Sequence, residues 1–137
     1  LPACSPTLLR RQPLDEVGDL ALHTLLHVAS MPRLWRDWLA QAGHGSLEPA
    51  ATLTLDHFYL SIQAAVDGLG VAMAPSTLIE DDVRAGRLVT PFPHISLPSR
   101  SYFAYTPLDS PLRAESERVC AWITGFDSAP LTQIGEQ

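Results

Sequence analysis

Apolar and polar positions repeat with two periods along this chain. Phe58, Ile62, Ala65 and Leu69 recur at i, i+4, i+7 and i+11, the spacing of one helix face. Short β-favouring runs flank them: residues 52–55 (TLTL) before, and 71–74 (VAMA) after. The second run is wholly apolar, as in a strand buried on both faces. Asp56 is placed to cap the helix, because its carboxylate can accept from the free amides of the first turn. Gly68 and Gly70 end it, since glycine takes the left-handed C′ conformation without strain. The unit is strand, helix, strand, and such crossovers between parallel strands are right-handed. Ligands on such sheets sit at the carboxyl ends of strands, beside helix N-termini. That directs attention to residues 56–59 and 75–77.

The same patterning continues on both sides. Residues 1–4 read as a strand or crossover, and Ser5-Pro6 opens a short helix through Arg11. A loop with a helical turn carries Leu14, Val17 and Leu20. Residues 25–29 form an apolar strand, and residues 30–32 restart a helix whose face is Leu34, Trp35, Trp38, Leu39 and Ala42, stopped by Gly43. After the central unit, Ser76 is placed to cap a helix carrying Leu78, Ile79 and Val83. Residues 88–90 read as a strand, and Pro91, Pro93 and Pro98 keep the next segment extended. Residues 101–106 (SYFAYT) are strand-like. Ser110-Pro111 opens a last helix with Leu112, Val119, Trp122, Ile123 and Phe126 on one face. Strands alternating with helices give an α/β class with a mainly parallel sheet and helices on both faces.

Composition narrows the function classes. The chain has 137 residues, is 46% hydrophobic and 18% charged, and carries a net charge of −6. It is long enough for one real core. The negative charge argues against nucleic-acid binding by this segment, because phosphate affinity comes largely from Lys and Arg. No apolar run approaches the ~20 residues of a membrane span. Cys4 and Cys120 match no metal or redox spacing and read as thiols in a reducing compartment. Leu1-Pro2-Ala3-Cys4 loosely resembles a lipoprotein cleavage box but lacks the upstream regions of one. With no initiator Met, the chain reads as a piece of a longer protein.

Candidate chemistry is sparse. Gly68-Leu69-Gly70 closes a helix instead of opening one, so it is no dinucleotide fingerprint. No P-loop lysine motif or G-x-S-x-G elbow is present, and Gly43-His44-Gly45-Ser46 is a polar turn. His23 and His27 are four apart, but His27 falls in a strand and no third zinc ligand is near. Glu80-Asp81-Asp82 suits a solvated helix face. Periodicity puts Phe58 in the core, whereas His57 and Tyr59 point elsewhere with polar tips suited to a cleft wall. Tyr102 begins the aromatic strand, and its hydroxyl needs a partner if buried. No catalytic constellation, metal site or cofactor motif emerges.

Several stretches together resemble the effector-binding (substrate-binding-like) domain of LysR-type transcriptional regulators. They are DLALHTLLHV, PRLWRDWLAQAG, LTLDHFYLSIQAAVDGLGVAMAPSTLIEDDVRAGRLVTPF, and SYFAYTP with a C-terminal AWI helix. The glycine-cleavage activator and β-lactamase regulator branch is the most similar. The resemblance covers nearly all of residues 1–127. It implies a type 2 periplasmic-binding-protein-like effector domain of two α/β subdomains with a cleft between them. Residues 1–4 and 98–100 would be hinge crossings and 5–97 the second subdomain. Residues 101–127 would return to the first subdomain, and 128–137 would be a tail. It also implies effector contacts from His57 and Phe58 beside Asp56, and from Tyr102 on the returning strand. Adding Tyr59 and Ser76 from the strand-end argument completes the expected ligand-binding set.

The function so implied is ligand sensing by a cytoplasmic transcriptional regulator that performs no catalysis and needs no cofactor. The effector would be a small metabolite, with an anionic one fitting the helix N-termini. DNA would be met only through an N-terminal helix-turn-helix outside this chain, no membrane is involved, and the protein would be a homo-oligomer. The alternative is a solute-binding protein of a transporter with the same fold; an enzyme of that fold is a third, weaker reading. The apolar stripe of the last helix predicts either pairing with another copy through that helix or its folding back onto the second subdomain.

Overall fold

The computed structural model describes residues 1–98, 105 and 111–124. The chain divides into two units, Leu1–Ser99 and Arg100–Gln137. In the first unit, β1 (Pro2–Ala3), β2 (Thr24–Val28), β3 (Ala51–Leu55) and β4 (Val71–Met73) form one sheet. Its order is β1-β4-β2-β3. β2 runs parallel to β3 and to β4, while β1 is antiparallel to β4. The sheet is therefore mixed, with a parallel centre, and β1 is the antiparallel exception. The run 88–90 contributes only an isolated antiparallel bridge, Val89 to Cys4. Two backbone hydrogen bonds of 3.1 and 2.9 Å close it.

The helices are α1 (Pro6–Arg11), α2 (Leu34–Gln41), α3 (Phe58–Val66), α4 (Ser76–Arg84) and, in the second unit, α5 (Arg113–Thr124). A 3₁₀ segment spans Val17–Leu22. Ser5 caps α1 by accepting from the Leu8 amide at 3.2 Å, with Pro6 in the first turn. Ahead of the 3₁₀ segment, the Asp19 carboxylate accepts from the Asp15 and Glu16 amides at 2.9 Å each.

Period-two alternation sends successive strand residues to opposite faces of the sheet. Cys4, Leu25, Val71 and Met73 face one side, where Leu8, Leu20, Trp35, Trp38, Leu39 and Phe92 cover them. Ala3, Leu26, Ala72 and Ala74 face the other, against Ile62, Ala64 and Ala65 of α3, Ile79 of α4, and Leu88. Helices thus cover both faces, as the patterning implies. The two layers differ in kind. Alanines on both partners let α3 lie close to the sheet, whereas the α2 layer is filled by two indoles. Trp35 and Trp38 meet edge to face, centroids 5.9 Å apart. Each indole nitrogen donates to a carbonyl, Trp35 to Leu26 at 2.9 Å and Trp38 to Ile95 at 3.0 Å.

Several sequence expectations shift by a residue or a face. Leu69 lies beyond α3, which ends at Val66 with Asp67 as C-cap, and it is 59% exposed. Gly68 takes the left-handed turn at φ +77° that stops the helix. Of the expected α4 stripe only Ile79 is buried; Leu78 and Val83 are exposed. In the second unit, the last helix begins at Arg113, two residues after Pro111, so Leu112 precedes it. Leu112, Val119, Trp122 and Ile123 are exposed. Phe126 and the run 101–104 lie outside the described residues.

Candidate functional site

Because β2, β3 and β4 are parallel, their carboxyl ends share one edge of the sheet. Each is followed there by a helix: α2 after β2, α3 after β3, α4 after β4. α2 packs on the tryptophan face, whereas α3 and α4 pack on the alanine face. The chain therefore departs to opposite sides from the adjacent strands β2 and β4. Such a divergence of neighbouring connections marks the place where open α/β sheets bind ligands.

The capping pattern sets the chemistry of this edge. None of the three helices that start here has a side-chain cap; their N-cap residues are Arg33, His57 and Pro75. α1, which starts at the opposite edge, is capped by Ser5. An uncapped first turn leaves backbone amides free to donate, although here Leu34 and Leu78 already donate to the Met31 and Pro75 carbonyls at 3.1 Å each, and the helix dipole adds partial positive charge. Three such turns at one edge favour an acceptor-rich, anionic group over a cation.

Asp56 and Ser76 are not the caps expected of them. His57 holds the cap position of α3 in an extended conformation, φ −134° and ψ 154°, leaving Asp56 one residue too far out. For α4 the cap falls on Pro75, whose ring fixes φ at −57°, and Ser76 becomes the first helical residue. Asp56, His57 and Ser76 are exposed at the edge, and Tyr59 is 73% exposed. Phe58 is half-buried against the alanine-face core, as its periodicity requires. Asp56, His57 and Tyr59 thus gather at the end of β3. Ser76 stands at the end of β4, two strand spacings or about 10 Å away. Beside Ser76 runs a groove of about 260 Å³ lined by Leu1, Thr77, Ile79, Glu80, Val83 and Thr90. Tyr102 lies outside the described residues.

Sequence reasoning found the strand between these two clusters but singled out no residue at its exit. β2 ends at Val28, and Ala29 donates to the Leu55 carbonyl at 2.8 Å, tying the β2 and β3 exits together. Ser30 follows, exposed, just beyond the carboxyl end of β2. Its signal was present, a hydroxyl directly after a strand-like apolar run, but it reads equally as the restart of a helix.

The histidine pair does not form a metal site. His27 is half-buried on β2, where burial pushes its pKa below the ordinary value. His23 is buried beyond the 3₁₀ segment, its Nε2 3.3 Å from the Pro13 carbonyl. Among the described residues no cluster of three or more His, Cys, Asp or Glu is placed to hold a metal. Among the same residues no helix is long and apolar enough to cross a membrane.

A mixed α/β sheet with its parallel strand exits sharing one edge fits a ligand-binding module. A family model described as the LysR substrate binding domain matches residues 1–126. The chain belongs to the LysR substrate-binding domain family. Among curated relatives, the glycine cleavage system transcriptional activator of Escherichia coli is 38% identical over 104 residues, which are 75% of this chain and 34% of that protein. The HTH-type transcriptional regulator TrpI of Pseudomonas aeruginosa is 38% identical over 101 residues, covering 72% of this chain and 34% of that protein. The effector domain of the Pseudomonas aeruginosa regulator AmpR superposes with a TM-score of 0.59 at 27% identity, over 66% of this chain and 43% of that one. The chain spans about a third of the length of these curated relatives.

As a LysR substrate-binding domain, the chain is a ligand-sensing regulatory domain with the type 2 periplasmic-binding-protein-like fold. Its relatives are transcriptional regulators and not enzymes. Nothing among them supports the transporter alternative.

Proposed function

We propose that this chain senses a small anionic metabolite on behalf of a cytoplasmic, homo-oligomeric DNA-binding regulator, and that it catalyses nothing. The observation that carries the reading is the gathering of three uncapped helix N-termini at one sheet edge, beside exposed polar side chains. Free amides there offer an oxyanion donors without a desolvated counter-charge. We assign ligand contact to Asp56, His57, Phe58, Tyr59 and Ser76, and to Tyr102 from the returning segment. Phe58 shapes the wall from below. Asp56 suits a donor on the ligand, His57, Tyr59 and Tyr102 supply polar tips, and Ser76 adds a hydroxyl from the end of β4.

In this reading residues 5–97 are the second effector subdomain, 1–4 and 98–100 the hinge crossings, 101–127 the return to the first subdomain, and 128–137 a tail. DNA contact belongs to a helix-turn-helix elsewhere in the protein, since this chain carries −6. Ligand acts by binding one subdomain arrangement better than another, and it can shift their balance only by that difference.

The test is a thermal-shift screen of small carboxylates, amino acids and phosphorylated metabolites, followed by calorimetry on the strongest binder. His57→Ala and Tyr102→Phe should each weaken binding by about 1–3 kcal/mol while leaving the fold intact, the usual range when a buried polar partner is left unpaired. Undiminished affinity in both variants would move the site away from these residues.

A further inference from the structure

We propose that the domain carries a second anion site, at the opposite edge of the sheet, selective for a tetrahedral oxyanion such as a phosphoryl or sulfate group. An open groove of about 260 Å³ lies there, lined by Ser5, Thr7, Arg10, Val66, Gly86 and Arg87 among others. β1 runs antiparallel, so α1 begins where the parallel strands begin, and Val66 and Gly86 stand at the far ends of α3 and α4. This groove and the ligand-sensing edge are thus at opposite ends of the sheet.

Charge pairing singles the place out. All nine basic residues of the chain are arginines. Arg33, Arg36, Arg84, Arg87, Arg113 and Arg118 each have a carboxylate within ion-pair distance. Among the described residues Arg10 and Arg11 alone have none. Arg10 donates to the Thr7 hydroxyl at 2.8 Å and Arg11 to the Gly68 carbonyl at 3.1 Å. A guanidinium has five N–H donors in a fork that fits tetrahedral oxyanions, so Arg10 keeps most of its capacity.

The hydroxyls point to the same ligand chemistry. Thr7 oxygen accepts from Arg10, and Ser5 oxygen, only 3% exposed, accepts from the Leu8 amide. Each is left with its O–H to donate. The groove therefore presents side-chain donors and the Arg10 guanidinium, matching a ligand that only accepts, and these must outweigh the partial negative charge of the α3 and α4 C-termini beside it. The Gly68 carbonyl at the end of α3, which would repel an anion, is taken by Arg11. The Asp82 carboxylate is held by Arg87, with Nε at 2.6 Å.

The test uses the 137-residue chain labelled with nitrogen-15. Inorganic phosphate and sulfate are titrated against chloride at matched ionic strength, and backbone amides and arginine Nε–H resonances are followed. The expected result is saturable shifts at residues 5–10, 86 and 87 with phosphate and sulfate only. Arg10→Gln, an exposed change that keeps the fold by circular dichroism, should weaken them about tenfold or more, as loss of a charge-assisted bond implies. Arg113→Gln, on α5, should leave them unchanged. Equal shifts with chloride, no saturation at these residues, or unchanged affinity in Arg10→Gln would overturn the site. The proposed sensing edge has its own resonances, at 56–60 and 76–78, so failure of one site leaves the other separately readable.

Discussion

Trp38 ties the segment after β4 and α4 back onto α2, and its removal has a calculable effect. The residue is fully buried. Its ring packs edge-on to Trp35 and, tilted by 39°, on Phe92 at 5.8 Å. Its Nε1–H donates to the Ile95 carbonyl at 3.0 Å. Trp38→Ala removes the ring and opens a cavity between α2 and residues 92–95, a loss of about 3–5 kcal/mol for a large buried aromatic. That is a large share of the roughly 5–15 kcal/mol by which such domains are stable. Trp38→Phe keeps most of the packing but leaves the carbonyl without its donor. Since Ile95 is half-buried and water can approach it, the low end of the ~1–3 kcal/mol range applies, about 1–2 kcal/mol. Urea denaturation should show both losses as lower midpoints at unchanged slope. Hydrogen exchange should quicken at the Ile95 amide, which bonds the Phe92 carbonyl at 3.2 Å, while exchange in α1 stays unaltered. A Trp38→Phe protein within 0.5 kcal/mol of the parent, with Ile95 exchange unchanged, would refute the idea that this hydrogen bond fastens the segment.

Two further outcomes follow from the same packing. A Cβ at Gly70 would strike the Thr24 carbonyl oxygen, so Gly70→Ala should destabilise the sheet by about 1–3 kcal/mol in thermal unfolding, more than Ala introduced at exposed Gly45. Burial pushes the Cys4 thiol from an ordinary 9.0 up to about 12, so it stays neutral in the fold while the unfolded thiol ionises. Stability from this residue is thus present below pH 9 and lost as pH rises towards 12; Cys4→Ala should flatten that alkaline decline, and native Cys4 should resist alkylation at pH 8 until denaturant is added.

The layers of this fold were legible because their signals are local. The Trp35–Trp38–Leu39 stripe and the apolar runs around Leu25 and Val71 each bury through one unbroken pattern. Misreadings arose where tertiary geometry decides. Asp56 and Ser76 are better caps than His57 and Pro75 by residue type. The exits of β3 and β4 nevertheless place the first helical turn where His57 and Pro75 precede it. Leu69 fits the period of α3 but falls after the left-handed Gly68, where the period no longer applies. The antiparallel direction of β1, read only as a strand or crossover, was invisible because two residues carry no pairing direction. At the site, Asp56, His57 and Tyr59 were findable as polar tips beside a strand end. Ser30 was not, because its place between those two clusters rests on the order β4-β2-β3, which no residue encodes alone.

The most direct test of the central claim is where a small ligand binds on the folded chain. The strongest binder from a panel of carboxylates, amino acids and phosphorylated metabolites would be titrated into nitrogen-15-labelled protein, with every backbone amide followed. Binding at the sensing edge predicts saturable shifts at Ser30, at residues 56–60 and at 76–78, with the free first-turn amides moving most. Those shifts should weaken in His57→Ala. Saturable shifts confined to the tryptophan face, to the edge strand β3, or to the amino edge of the sheet, with the first-turn amides of α3 and α4 unmoved, would contradict it.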